Sequence, residues 1–200
     1  MNTFFTADLH FNDYRNFNHF GYGANYKNQV DRDNDLIAMW NSTVRPDDIV
    51  YILGDYFVFY YAYNTTNGQI ENTTEAIAEQ DKFVDYTKRL NGKKSIILGN
   101  HDNEIRRYGS IRSFLTSQDI YVYDYPIIFK NWCILSHEPM YVTPDMPYIN
   151  IFGHVHNNQN YRTFSSCGAC VCWDRVRLIE WNELSSEIDK LRKATNIDVI

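Results

Sequence analysis

The chain has 200 residues, of which 44% are hydrophobic and 22% charged, which suits one domain with a proper core and excludes a disordered chain. A formal net charge of −6 argues against a broadly basic nucleic-acid groove. No run approaches the roughly 18 apolar residues of a membrane span, and residues 1–8 lack a basic segment followed by an apolar one; the expectation is a soluble, cytoplasmic protein with no membrane partner.

The first predicted element is a strand over Thr3–Ala7. A helix follows, in which Val30, Ile37, Trp40 and Val44 fall at spacings that share one face. Ile49–Leu53 reads as a second strand, rich in β-branched residues. The Tyr56–Tyr61 stretch suits core packing, and residues 57–74 are the least patterned part of the middle of the chain, predicting a surface excursion. A second helix carries Ala76, Ile77, Phe83, Val84 and Leu90 on its apolar side. Three further strands are predicted at Ser95–Leu98, Trp132–Leu135 and Tyr148–Phe152. Cys133, Cys167, Cys170 and Cys172 lack the paired spacing of a structural zinc site, and Cys170–Trp173 reads as a buried strand. A last helix over Asn182–Lys193 closes the domain through Leu184, Ile188 and Leu191. Helices between strands make the class α/β or a layered mixture of the two.

The informative feature is where each apolar run ends. Asp8-Leu9-His10 follows the first strand, Gly54-Asp55 the second, Gly99-Asn100-His101-Asp102 the third, Ser136-His137-Glu138 the fourth and Gly153-His154-Val155-His156 the fifth. Ligand sites gather at the carboxyl ends of strands, so loops distant in sequence can meet in one crevice. Imidazole and carboxylate suit Mn, Fe, Zn or Ni, an amide oxygen can complete a shell, and a carboxylate can bridge two cations. In an extended segment Asp8 and His10, and likewise His154 and His156, would share a side. Glycines 54, 99 and 153 let the backbone turn just before a ligand. Each motif alone is weak; together they take in five of the six histidines and leave only His19 over.

These motifs, in this order over roughly residues 1–180, resemble the calcineurin-like metallophosphoesterases. Phe5–Phe11, Pro46–Asp55 and Leu90–Lys94 are similar in particular to the small bacterial and phage phosphoesterases of that superfamily. The resemblance implies two mixed β-sheets in a sandwich flanked by helices. It implies one divalent metal held by Asp8, His10 and His156, another by Asn100, His137 and His154, and Asp55 bridging them. His101 would stay off the metals and protonate the leaving oxygen or stabilise the transition state, with Asp102 orienting it. The implied activity is hydrolysis of a small phosphorylated substrate, a phosphodiester or phosphomonoester such as a nucleotide, by a water activated between two cations.

One departure stands out: relatives often carry a Gly-His pair where this chain has Asn12-Asp13, so the pocket wall is expected to differ. Arg15, Arg106 and Arg107 are candidate phosphate contacts because a guanidinium matches phosphate geometry, with solvated surface as the competing reading. A nuclease acting on DNA or RNA would use the same metals, but usually with added basic surface or a capping domain. A non-catalytic scaffold of the same fold typically lacks a site His or Asn, and here none is missing.

Overall fold

The computed structural model describes residues 1–61, 73–107 and 109–194. In chain order these form β1 (Thr3–Thr6), α1 (Gln29–Thr43), β2 (Ile49–Leu53), α2 (Thr74–Arg89), β3 (Lys93–Ile97), α3 (Asn103–Arg107), α4 (Gly109–Ser117), β4 (Tyr121–Tyr123), β5 (Ile127–Phe129) and β6 (Cys133–Leu135). Then come β7 (Ile149–Phe152), β8 (Phe164–Ser165), β9 (Gly168–Cys170), α5 (Trp173–Val176), β10 (Ile179–Glu180) and α6 (Trp181–Ala194). Among the described residues no helix is long and apolar enough to cross a membrane.

Two five-stranded sheets carry the molecule, in the orders β10-β1-β2-β3-β4 and β5-β6-β7-β9-β8. Both are mixed. β1 to β4 run parallel with β10 antiparallel at the edge, whereas β6, β7 and β9 are parallel between antiparallel β5 and β8. The expected two-sheet layered α/β architecture is what the chain adopts.

Strand periodicity explains the layering, because successive side chains of β1 to β3 enter different cores. Phe4, Val50, Ile52 and Ile96 pack with Leu36, Trp40 and Phe83 of the helices. Their neighbours Phe5, Leu53 and Ile97 join Leu135, Ile149 and Ile151 of the second sheet, with Leu184 and Ile188 of α6 in the same cluster. A strand buried on both faces reads as an uninterrupted apolar run, and for that reason β1 to β3 are conspicuous in the sequence.

Several sequence expectations change. Val30 and Ile77 are exposed, and Arg32 and Asp33 take the inner face of α1 beside Leu36, Ile37 and Trp40. Their reason is the adjoining loop. Arg32 donates to the Leu9 carbonyl, Gln29 donates to the His10 carbonyl at 3.1 Å, and Asp33 accepts the Asn12 amide at 2.9 Å. Residues 57–59 are buried core rather than a surface excursion, with Phe57 stacked edge-on to Phe83, as the core reading of the aromatic stretch expects. Residues 62–72 of that excursion lie outside the described residues. The strand expected at Cys170–Trp173 ends at Cys170, after which Cys172 precedes α5 and Trp173 begins it.

Candidate metal centre

β1, β2, β3, β6 and β7 all release their chains toward one edge of the sandwich, and the ligand candidates sit in the first residues beyond them. Their backbone is not the extended one that Asp-x-His spacing suggests. Asp8, His10, Asp55, His154 and His156 have positive φ angles of 58°, 45°, 53°, 69° and 42°. Each left-handed residue of this kind costs on the order of 1 kcal/mol, and such strain persists only where surrounding bonds impose it. Here Asp8 donates its amide to Gly54 O at 3.0 Å, His10 to Asp55 O at 2.9 Å, and Gly153 to His137 O at 2.9 Å. Loops from distant strands therefore hold each other in place. At Gly99 the demand is close approach, because a Cβ there would lie 2.3 Å from Asp55 Oδ1.

The strained turns fan the side chains into two groups. Asp8, His10 and His156 offer atoms within 4.8 Å of one another, and so do Asp55, His137 and His154. Asn100 joins the second group, with its Oδ1 2.9 Å from His137 Nε2 and 3.0 Å from His154 Nδ1. Asp55 Oδ2 lies between the groups, 3.6 Å from His10 Nε2 and 3.4 Å from His137 Nε2. His154 and His156 thus part company, contrary to the shared side that period-two spacing suggests.

The donor atoms fit divalent metals. His137 Nδ1 donates to the Leu53 carbonyl at 2.8 Å, so its Nε2 carries a lone pair, and that lone pair faces the Asn100 and Asp55 oxygens. His10 Nδ1 donates to Asp13 Oδ2 at 2.9 Å, and its Nε2 is fully buried with no hydrogen-bond partner. Converging lone pairs repel unless a cation lies among them. Bonds of about 2.1 Å give ligand-to-ligand edges of roughly 3.0 to 3.4 Å in octahedral or tetrahedral shells, the scale of the separations found here.

Two carboxylates that sequence reasoning missed support the histidines from behind. Asp13 holds His10, and Asp174 Oδ2 accepts from His156 Nδ1 at 2.9 Å; such partners fix the tautomer and raise ligand basicity. Burial alone would raise the Asp13 carboxyl pKa, but hydrogen bonds from His10 and Tyr60 bring it below the ordinary value. Asp174 is lowered likewise, its burial outweighed by His156. Burial depresses the His156 pKa, but Asp174 and the Asp8 carboxylate prevail and raise it. Asp13 had a local signal, three residues after His10. Asp174 had none, because α5 alone brings it back to the site.

His101 stands on the open side of the centre, its ring centroid 5.3 Å from that of His10 and its amide donated to Asp55 Oδ1 at 2.9 Å. It lines a cleft of about 260 Å³ together with Asn16, His19 and Phe20. The histidine left over by the motifs therefore lines the same cleft as His10, His101, His154 and His156. Phe20 stacks on the His156 ring, centroids 4.7 Å apart, and roofs that side of the centre.

Asp102 does not serve the His101 ring as expected. Its oxygens accept the backbone amides of Asp55 at 2.8 Å, Tyr56 at 2.9 Å and Gly99 at 2.8 Å, so it clamps the two loops that carry Asp55 and Asn100. Burial, with the Asp55 charge nearby, pushes its pKa up. The arginines are dispersed. Arg15 lies over the Tyr60 ring at 4.2 Å, Arg107 is exposed on α3 beside the Glu104 carboxylate it stabilises, and Arg106 lines a second cavity that shares Asn100 with the cleft.

Comparison with known proteins agrees with this geometry. A crystal structure of AQ665, a protein of unknown function from Aquifex aeolicus, matches with a TM-score of 0.53 and 22% identity, over 95% of this chain and 98% of that one. That likeness concerns the fold. Curated proteins give no match. The family profile of the calcineurin-like phosphoesterases matches residues 1–180, which include every ligand candidate and both supporting carboxylates. The chain thus belongs to the calcineurin-like phosphoesterase family and is a metal-dependent phosphoric ester hydrolase.

Proposed function

We propose that the chain hydrolyses a small phosphate ester with two divalent metal ions, one held by Asp8, His10 and His156 and the other by Asn100, His137 and His154. Asp55 is shared. The observation that carries this reading is the place of Asp55 Oδ2 between two imidazole Nε2 atoms, 3.6 and 3.4 Å away, each belonging to a ring whose Nδ1 is already committed to Asp13 or to the Leu53 carbonyl. Imidazole and carboxylate donors suit Mn, Fe, Ni or Zn. When bound, two such ions acidify a water toward neutrality and neutralise the phosphate oxygens under attack.

The remaining steps belong to the protein. His101, anchored through its amide to Asp55, points an exposed ring into the cleft where the leaving oxygen would emerge, and it hands that oxygen a proton. Asp102 keeps the Asp55 and Gly99 backbones in register, which holds Asp55 and His101 at a fixed separation. Phe20 excludes water from one flank. The cleft of about 260 Å³ admits a small ester more readily than an extended duplex, and the net charge of −6 provides no basic track for a polynucleotide.

Chelator-stripped protein reloaded with Mn²⁺, Ni²⁺ or Zn²⁺ is expected to bind two equivalents by elemental analysis and to hydrolyse bis-p-nitrophenyl phosphate or p-nitrophenyl phosphate. A folded, metal-loaded sample that cleaves neither ester overturns the proposal.

A further inference from the structure

Beside the metal cleft lies a second and larger cavity, of about 380 Å³, that shares Asn100 with it and reaches His137. Ile97 at the end of β3 lines it, with Leu98 and Gly99 just beyond the strand. Tyr125, from the turn after β4, and Met140, from the turn after β6, both line it, and so does Arg106. Both apolar side chains stand in solvent, Tyr125 80% and Met140 45% exposed, although each is carried by a pinned backbone.

The pinning is specific. Met140 donates its amide to the buried Asn150 Oδ1 at 2.7 Å, and the same Asn150 donates to Ser136 Oγ at 2.8 Å, whose hydroxyl in turn donates to Glu138 O at 2.7 Å. The turn from His137 to Met140 is therefore fixed by a polar side chain in the middle of β7. Next to Tyr125, Asp124 is gripped by both terminal nitrogens of Arg112 at 2.8 and 3.0 Å, and the preceding Tyr123 carbonyl accepts the Leu98 amide at 3.0 Å. An aromatic face, a thioether and a flat guanidinium around a preformed slot are the groups that take up a planar ring.

On the phosphoesterase reading, we propose that this cavity receives the retained organic arm of a phosphodiester, an aromatic or nucleobase-like ring seated between Tyr125 and Met140, while the leaving arm departs through the cleft lined by His101. A phosphate over the metal centre would border both cavities, which share Asn100. A monoester has one arm and would leave the larger cavity unused. In the reaction a water oxygen bonds to phosphorus and the ester bond facing His101 breaks. The proton from His101 goes to the departing oxygen, and the products are an alcohol and the monoester of the retained arm.

The test compares bis-p-nitrophenyl phosphate with methyl p-nitrophenyl phosphate, which share charge and leaving group; the ratio of their kcat/KM is divided by the ratio of their hydroxide hydrolysis rates, which removes the statistical advantage and the electron withdrawal of the second aryl group. The metal-loaded protein is expected to favour the aryl arm in this corrected ratio by about tenfold, the scale of one stacked ring. In Tyr125→Ala combined with Met140→Ala that ratio should fall toward one, chiefly through KM for the aryl diester. Both positions are exposed, so the fold should survive, and circular dichroism with metal content checks it. A corrected ratio of one, or an undiminished ratio in the double variant, overturns the assignment of this cavity while leaving the phosphoesterase reading intact. Absence of turnover with every ester in folded, metal-loaded protein instead overturns both.

Discussion

On the β1 side of the centre, Asp8 and His10 are buried, Phe20 covers His156, and carboxylates from Asp13 and Asp174 stand behind both imidazoles. On the β3 side, Asn100 and His154 are exposed, and His137 leans on a backbone carbonyl. The first group is enclosed and supplied with extra negative charge, which favours retention of a cation. The second is open and faces both cavities, which favours contact with substrate. Asp55 Oδ2 lies between them, and on the two-metal proposal the contrast divides the tasks of anchoring metal and presenting it.

The largest effect is expected at the shared residue. Asp55→Asn keeps the shape and removes the charge between the two groups, so metal content should drop and activity should fall more than about 100-fold, beyond the range of changes to supporting partners. Full activity with two metals bound would abolish the division described above. His101→Asn comes next: metals stay bound, while turnover falls by about 10²- to 10⁴-fold, with the loss in kcat rather than in metal titration.

Asp13→Asn and Asp174→Asn sharpen the comparison most directly. Each should weaken metal affinity by about 10- to 100-fold at the enclosed group alone, so that competition with a chelator removes one equivalent before the other. Simultaneous loss of both equivalents would show that the two groups do not differ in the way their surroundings suggest.

The smallest effect lies at the other end of β3, away from the site. Burial pushes the Lys94 ammonium down to about 8 from 10.5, although its Nζ donates to the Leu90 and Gly92 carbonyls. A cation held below its unfolded pKa costs stability in full below pH 8, and the cost is relieved as pH rises from about 8 to 10.5. Across that window the Tm of the natural chain should therefore climb relative to Lys94→Met. A natural-chain Tm that stays level or falls relative to Lys94→Met across that window would show that Lys94 remains charged when folded.

What could be read in the sequence follows from locality. β1, β2, β3, β6 and β7 announce themselves because central strands buried on both faces are continuous apolar runs, and ligands placed just past each run advertise the edge where they meet. β5, β8 and β10 are short edge strands whose pattern is set by their partners, so nothing in two or three residues marks them. Val30 misled because helical spacing alone does not say which face turns inward. In α1 that face was settled by the carbonyls of Leu9 and His10, which need Arg32 and Gln29 beside them.

The residue types and order of the metal centre were thus determined by the sequence alone, since a metal site requires particular donor atoms wherever the chain brings them. Only the tertiary structure decided how those donors divide. The left-handed turns at Asp8, His10, His154 and His156 are imposed by hydrogen bonds between loops far apart in sequence, and they send His154 and His156 to different groups. The same long-range packing brought Asp174 behind His156, turned Asp102 toward backbone amides and drew His19 into the cleft. Such contacts depend on where distant strands end relative to one another, and no local spacing encodes that.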